Sequence, residues 1–217
     1  MRVDVIIDVV CPWCYIGKKQ LDSAVAQRAA IIDEIIYHPY QLGPDTPPEG
    51  VDRKEYYARK FGNTAEFRAA REHMQLLAEA LGISFNWDID ARIPNTLDAH
   101  RLIRWASGAG CADAVVDDLM YRYFTLGQFL GDHDLLAGVA SAAGMDGDLV
   151  RSLLATERDS DRISADVAQA RQMGVTGVPC FYFDGRGPVS GAQDASRLVQ
   201  IIDQVIALQQ QEAGQTS

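Results

Sequence analysis

Positive charge is scarce in this sequence: 20 lysines and arginines stand against 30 aspartates and glutamates, a formal net charge of −10. That balance argues against a nucleic-acid partner, because binding a phosphate backbone needs a cationic face that releases counterions. Anionic membrane surfaces are disfavoured on the same ground. Long hydrophobic runs are missing too. No apolar stretch reaches the roughly 20 residues a membrane-spanning helix requires. The opening MRVDVIID interrupts its apolar residues with Asp4 and Asp8 and has no small-residue cleavage site, so it reads as a first strand and not as a signal peptide. The expectations are no membrane, a cytoplasmic location and a reducing compartment. Cysteine is sparse as well, at Cys11, Cys14, Cys111 and Cys180. A structural disulfide framework is not expected from so few, so widely spaced, in such a compartment.

What is present is apolar residue enough, 47% of 217, to bury a sizeable core. Residues 3–10 are rich in β-branched side chains and read as a strand that stops at Cys11-Pro12; helical spacing follows over 14–29. Residues 34–42 read as a second strand that ends or bends at His38-Pro39. Three prolines and two glycines mark 43–50 as a linker. From Asp52 to about Met173 the chain turns helical. Asn63-Thr64-Ala65-Glu66 opens one helix, running to Leu81 before Gly82, and others are predicted over 97–106, 112–124, 132–143, 146–155 and 159–173. A hairpin over 180–190, turning at 184–187, and a final helix over 192–211 close the order: β-α-β, a helical block, then β-β-α.

Cys11-Pro12-Trp13-Cys14 sits at the predicted strand-to-helix turn. Thiol–disulfide exchange needs a thiolate attacker, a second thiol to resolve the mixed disulfide, and access in line. Cys11 near the helix N-cap would have its negative charge stabilised by orphan backbone N–H groups and the helix dipole. Cys14, one turn inside, would be the resolving thiol, and Pro12 suits the first turn, where its missing N–H has no intrahelical partner. A CxxC is also half of a zinc site. Here no second CxxC or close Cys/His pair accompanies it, with His38, His73, His100 and His133 scattered, and no metal is expected. Val178-Pro179 opens the strand after a glycine-rich turn, where a cis bond would place backbone groups beside the cysteines; an ordinary trans proline is the alternative.

CPWCYIGKKQL, IPNTLDAHRL, YFTLGQFLGD and GVTGVPCFYFDGRGPVSGAQ together resemble the FrnE-like branch of the DsbA family of thiol–disulfide oxidoreductases, over nearly the whole chain. The resemblance implies an α/β architecture, a thioredoxin fold interrupted by an inserted all-helical domain, here split as 1–43, 44–170 and 171–217. It implies a cis-proline at Pro179 beside the CxxC and oxidase or isomerase activity on disulfides. Relatives of that branch resemble kappa-class glutathione transferases and 2-hydroxychromene-2-carboxylate isomerases. Two departures stand out. The DsbA type proper has a histidine between its cysteines where this chain has Pro12-Trp13, and the transferase and isomerase relatives have serine where Cys11 stands.

The expected machinery is therefore Cys11, Cys14 and Pro179, with Pro12, Trp13, Val178, Asn95, Thr96, Ser190 and Gly191 around the substrate. Resemblance places Asn95 and Thr96 toward the cleft; from residue type alone they read as a helix cap, and His100 as a surface residue. Residues 190–193 either offer backbone N–H groups to a carboxylate or simply cap the last helix. Trp13 and Tyr15 offer an apolar landing surface, or Tyr15 packs under the helix. Asp8 either accepts a proton from Cys14 or hydrogen-bonds backbone near the turn. Cys180 is expected buried and inert, and Cys111 structural. No cofactor is required, with glutathione a candidate co-substrate beside disulfide- or thiol-containing proteins, and a homodimer is compatible. The rival functions are a glutathione-dependent isomerase or transferase and a redox-sensing interaction module.

Overall fold

The computed structural model describes residues 1–62, 64–87, 89 and 91–215. It begins with β1 (Arg2–Ile7), α1 (Pro12–Gln27) and β2 (Glu34–Pro39). Between β2 and the return to the sheet lie β3 (Val51–Asp52), α2 (Arg53–Phe61), α3 (Ala65–Ala80), β4 (Arg92–Ile93), α4 (Leu97–Gly108), α5 (Ala112–Phe124), α6 (His133–Ala142), α7 (Gly147–Leu154) and α8 (Ser160–Gln172). The chain closes with β5 (Cys180–Phe183), β6 (Arg186–Ser190) and α9 (Ala195–Gln215). The main sheet has the order β2-β1-β5-β6, with β1 parallel to β2 and antiparallel to β5. This is an α/β thioredoxin fold with a helical insertion, as expected.

Alternation along β1 decides what covers each face of the sheet. Val3, Val5 and Ile7 share one buried cluster with Leu21 and Ala24 of α1 and with Leu198 and Ile202 of α9. Ile6 points the other way, into a smaller cluster with Tyr40, Ala170, Val175 and Cys180, where α8 lies over the sheet. Cys180 is thus buried, as strand alternation predicts. The larger cluster does not stop at the sheet. It continues through Leu102, Val115, Val116, Leu119, Leu136 and Val150, so the insertion shares its core with the body it interrupts. Tyr15 is part of the seam: its ring stacks on Phe124 with centroids 5.9 Å apart and meets Phe85 at 6.3 Å.

Buried cations join segments that the apolar pattern leaves unlinked. Lys18 of α1 is fully buried and ion-pairs with Asp22, Asp113 and Asp117 at 3.0–3.1 Å. Tyr37 of β2 donates to Asp113 at 2.5 Å, which ties α1, sheet and α5 together. Arg101 donates to the carbonyls of Leu153, Leu154, Thr156 and Arg158, satisfying the frayed end of α7 that would otherwise leave acceptors buried.

Several boundaries differ from expectation. The linker 43–50 runs into β3, which pairs with β4 through only two residues on each side, too short for any periodicity to show. The second strand stops at Pro39, where the proline was expected to end or bend it. The last helix begins at Ala195, not at 192, because Asp194 accepts from Arg197 N and caps it there. Of the predicted start of α3, Asn63 lies outside the described residues; Thr64 is its N-cap and accepts from Phe67 N. Among the described residues, no helix is long and apolar enough to cross a membrane.

Candidate active site

Chain geometry at the end of β1 places the two cysteines. Cys11 N donates to Asp8 O at 3.0 Å, turning the chain, and Cys11 then takes an extended N-cap conformation (φ −88°, ψ 115°) with Pro12 in the first helical turn. Cys14 N and Tyr15 N both donate to Cys11 O, at 3.0 and 3.3 Å. Cys11 and Cys14 are free thiols. From 167 residues further along the chain comes the facing wall: Cys11 Sγ donates to the carbonyl of Val178 at 3.6 Å, and the Val178–Pro179 bond is cis. Pro179 is held in turn by Gly191 N, which donates to its carbonyl at 2.8 Å. A second cis bond, Gly187–Pro188, lies in the edge strand β6, where a missing proline N–H removes no interior ladder bond.

The close approach of α1 to this loop depends on Gly17. A Cβ there would stand 2.7 Å from Pro179 Cγ and 3.4 Å from Phe181 Cζ. A glycine inside a helix costs about 1 kcal/mol against alanine, and six residues after Cys11 it was the one sequence signal of a packing demand. Gly17→Ala gains that propensity yet overpacks the contact, typically at about 1–3 kcal/mol. The expected outcome in urea titration is therefore a small net loss of stability, with disulfide-exchange rate falling several-fold as Pro179 is pushed from Cys11. An unchanged rate would show that the contact does not position the loop.

Burial distinguishes the thiols less than expected. Cys14 is wholly buried, and burial together with the neighbouring Cys11 thiol pushes its own thiol well above the ordinary range. Cys11 is itself only 5% exposed. Tyr57 of α2 lies within its field, with burial pushing the phenol up to about 12. Access to Cys11 is therefore narrow, framed by the insertion on one side and the Pro179 loop on the other.

Other expected residues are placed as follows. Pro12, Trp13 and Val178 are half-buried, and Trp13 and Val178 pack on the core edge. Asn95 has its amide engaged by the protein: it accepts from Gln41 Nε2 at 2.9 Å and Leu97 N at 3.0 Å, and donates to the carbonyls of Pro44 and Thr46 at 3.2 and 2.8 Å. Its oxygen takes up the first N–H of α4 from just before the cap, and its amide fastens the loop after β2. Thr96 is buried and makes no side-chain cap. Ser190 is exposed and Gly191 adopts φ +81°. Nearby, Asp194 accepts from Arg197 N at the start of α9, and Gly191 N already donates to the Pro179 carbonyl. His100 needs correction: it is buried, with Nε2 3.0 Å from the Tyr40 carbonyl and 3.6 Å from Asp8 Oδ1. Neither link was readable, because each joins residues far apart in sequence. Tyr15 packs into the seam. A cavity of about 1050 Å³ opens on the opposite face of the sheet, lined by Asp4, His38, Arg104, Leu149 and Tyr182, away from both cysteines.

The family model of the DSBA-like thioredoxin domain matches residues 2–203. A protein described as a probable DsbA oxidoreductase from Streptomyces coelicolor superposes with a TM-score of 0.86 at 30% identity, over 95% of this chain and 90% of that one. A 2-hydroxychromene-2-carboxylate isomerase superposes with a TM-score of 0.69 at 18% identity over 100% of both chains. The cytosolic disulfide reductase DsbM from Pseudomonas aeruginosa, with GSH, does so with a TM-score of 0.62 at 14% identity over 98% and 99%. At these identities the last two show a shared fold.

Proposed function

We propose, from the premise that this chain belongs to the DSBA-like thioredoxin domain family, that it is a FrnE-like dithiol–disulfide oxidoreductase or isomerase acting through Cys11 and Cys14. The observation that carries this reading is the Cys11 Sγ contact with the Val178 carbonyl next to cis-Pro179. An extended substrate segment lying along Val178 would bring its sulfur in line with Cys11. The Cys11 thiolate, facing the N-terminus of α1, attacks that sulfur and expels the other as a thiolate; Cys14 then displaces the mixed disulfide. Pro12 and Trp13 form the rim on which substrate rests. The exchange uses protein sulfur alone, with protein disulfides or glutathione as substrates. Glutathione is supported by the fold shared with DsbM, described with GSH. The proposed setting is the cytoplasm, supported by the fold shared with the cytosolic DsbM.

The glutathione-dependent isomerase or transferase reading gains the shared isomerase fold but has no serine at position 11 to activate glutathione. A redox-sensing module would form stoichiometric mixed disulfides without turnover.

The deciding experiment equilibrates the Cys11–Cys14 pair against glutathione buffers while following catalysed insulin reduction. Pro12-Trp13 places no cation beside the Cys11 thiolate, so the reduced form lacks the stabilisation that makes a strong oxidant. The expected potential is more negative than about −200 mV, closer to thioredoxin than to DsbA, with multiple turnovers of glutathione-coupled reduction. No reversible dithiol couple, or none of the turnover, would sink the proposal.

A further inference from the structure

Residues 190–195 form a bracket between the loop that faces Cys11 and the helix that carries it. At one end Gly191 N donates to the Pro179 carbonyl at 2.8 Å. A tight turn follows, in which Gln193 N donates to Gly191 O at 2.9 Å and Gln193 Nε2 to Ser190 O at 2.7 Å. At the other end Ala195 N, the first amide of α9, donates to Gln20 Oε1 of α1 at 2.8 Å. The first amides of a helix have no partner within it. In α9 the local cap, Asp194, accepts from Arg197 N, whereas the acceptor for Ala195 N is brought by another helix. Gln20 is half-buried, and its Nε2 makes no hydrogen bond among the described residues, so the side chain acts through its oxygen.

Gly17 and Gln20 lie one turn apart on the same face of α1. The would-be Cβ of Gly17 stands 2.7 Å from Pro179 Cγ and 3.5 Å from Ala192 Cα, so the bracket lies directly against this face. The contacts close a circuit. Cys11 Sγ meets the Val178 carbonyl at 3.6 Å, the Pro179 carbonyl holds Gly191 N, Ala195 N holds Gln20, and α1 returns to Cys11. The body of α9 is seated on α1 by other means: Leu198 and Ile202 share a core with Leu21 and Ala24, and Arg28 forks onto Asp203 at 2.8 and 2.7 Å. Loss of the Gln20 oxygen therefore leaves α9 in place and frees the bracket alone.

We propose that Gln20 is a positioning residue for polypeptide substrates: by holding Ala195 N it fixes the 190–195 bracket, and through it the Val178–Pro179 edge on which an extended disulfide-bearing segment docks. The inference rests on the disulfide-exchange reading above. An extended segment binds by pairing its main chain with an open backbone edge, so its affinity depends on where Val178 stands relative to Cys11. The sulfur itself is placed by α1. Small displacements of a docking surface carry disproportionate effects on a bound reactant. A small disulfide without a peptide backbone needs only the sulfur and is indifferent to the bracket. Gln20 thus favours polypeptide disulfides over small ones, although it touches neither the substrate nor a cysteine.

Two disulfides separate these demands: insulin, and 2,2′-dithiodipyridine, which is neutral and has no peptide backbone. Gln20→Met keeps the length of the side chain and removes the acceptor. It is expected to raise KM for insulin by about fivefold to tenfold with kcat within about twofold, the pattern of lost binding and not of lost chemistry. Its rate with 2,2′-dithiodipyridine should stay within about twofold of wild type, since that reaction reports the Cys11 thiolate alone. Gln20→Glu keeps an oxygen for Ala195 N, places its charge at a helix N-terminus that favours it, and should restore KM. Arg28→Ala loosens α1 from α9 away from the bracket and should lower the melting temperature with KM unchanged. Should Gln20→Met fail to fold, Gln20→Asn, one methylene too short to reach Ala195 N, gives the same test. A wild-type KM in the folded variant, equal slowing with both disulfides, the same rise in KM in Arg28→Ala, or no recovery in Gln20→Glu overturns the inference. A wild type that reacts with neither disulfide overturns the oxidoreductase reading instead.

Discussion

Cys11→Ser is expected to abolish disulfide exchange, lowering turnover by about a thousandfold or more, as loss of a covalent nucleophile does. A serine oxygen cannot form the mixed disulfide, so no intermediate accumulates. The remaining cysteine of the pair cannot substitute: Cys14 is wholly buried and its thiol is held well above the ordinary range by burial, so it is both unreachable and protonated. Insulin reduction coupled to glutathione, with mass spectrometry of trapped species, measures the effect. Residual turnover above a few per cent would name another thiol, with half-buried Cys111 the first to test. Cys14→Ser should behave differently. It keeps the attack and arrests at a mixed disulfide on Cys11, so the pair of variants assigns attacker and resolver from opposite failures.

Lys18→Met is expected to carry the largest loss of stability. Burial alone would lower the lysine's affinity for its proton, but Asp113, Asp22 and Asp117 more than offset this and hold Lys18 above its ordinary value. Methionine fills the stem's space but leaves three carboxylates with Lys19, 2.8 Å from Asp117 and 3.9 Å from Asp22, to counter them. Breaking a buried pair costs about 3–5 kcal/mol. Because these carboxylates are between one-third and somewhat over one-half exposed and can rehydrate, about 2–4 kcal/mol is the expectation. For a chain of this size that lowers the melting temperature by on the order of 10 °C. The pH dependence has a definite sign. In the wild type, burial would raise Asp113, but Lys18 first, then Tyr37, hold it below its ordinary value. That contribution is present above the ordinary carboxylate range and is lost as pH falls through it. Without Lys18 the clustered carboxylates gain affinity for protons, so the variant's deficit should shrink between pH 7 and 4. A deficit constant with pH would show that lost packing, not charge, is the cause.

What could be read beforehand was what is local. α5 was predicted to the residue because its apolar spacing and flanking turn coincide, and the cysteine pair, its helix and the proline of the facing loop each announce themselves within a few residues. Unread were the features made by residues remote in sequence. β3 and β4 are two residues long and exist only as each other's partner. Lys18 looks like a surface lysine until Asp113 and Asp117 arrive from α5, and His100 looks like a surface residue until Tyr40 and Asp8 close around it. Asn95 shows the converse: its position was anticipated, but the loop carbonyls that take up its amide lie some fifty residues earlier.

The contact between Cys11 and Val178 also sets a schedule. Both cysteines leave the ribosome early, while the loop that confronts them follows 167 residues later, about 10–30 s at ordinary rates of synthesis. Through that interval the nascent chain carries an unguarded pair of thiols, with neither the proline loop nor α9 to enclose them. Any truncated product that stops before residue 178 would keep the dithiol while lacking the wall that disciplines it, and would be reactive toward any sulfur nearby.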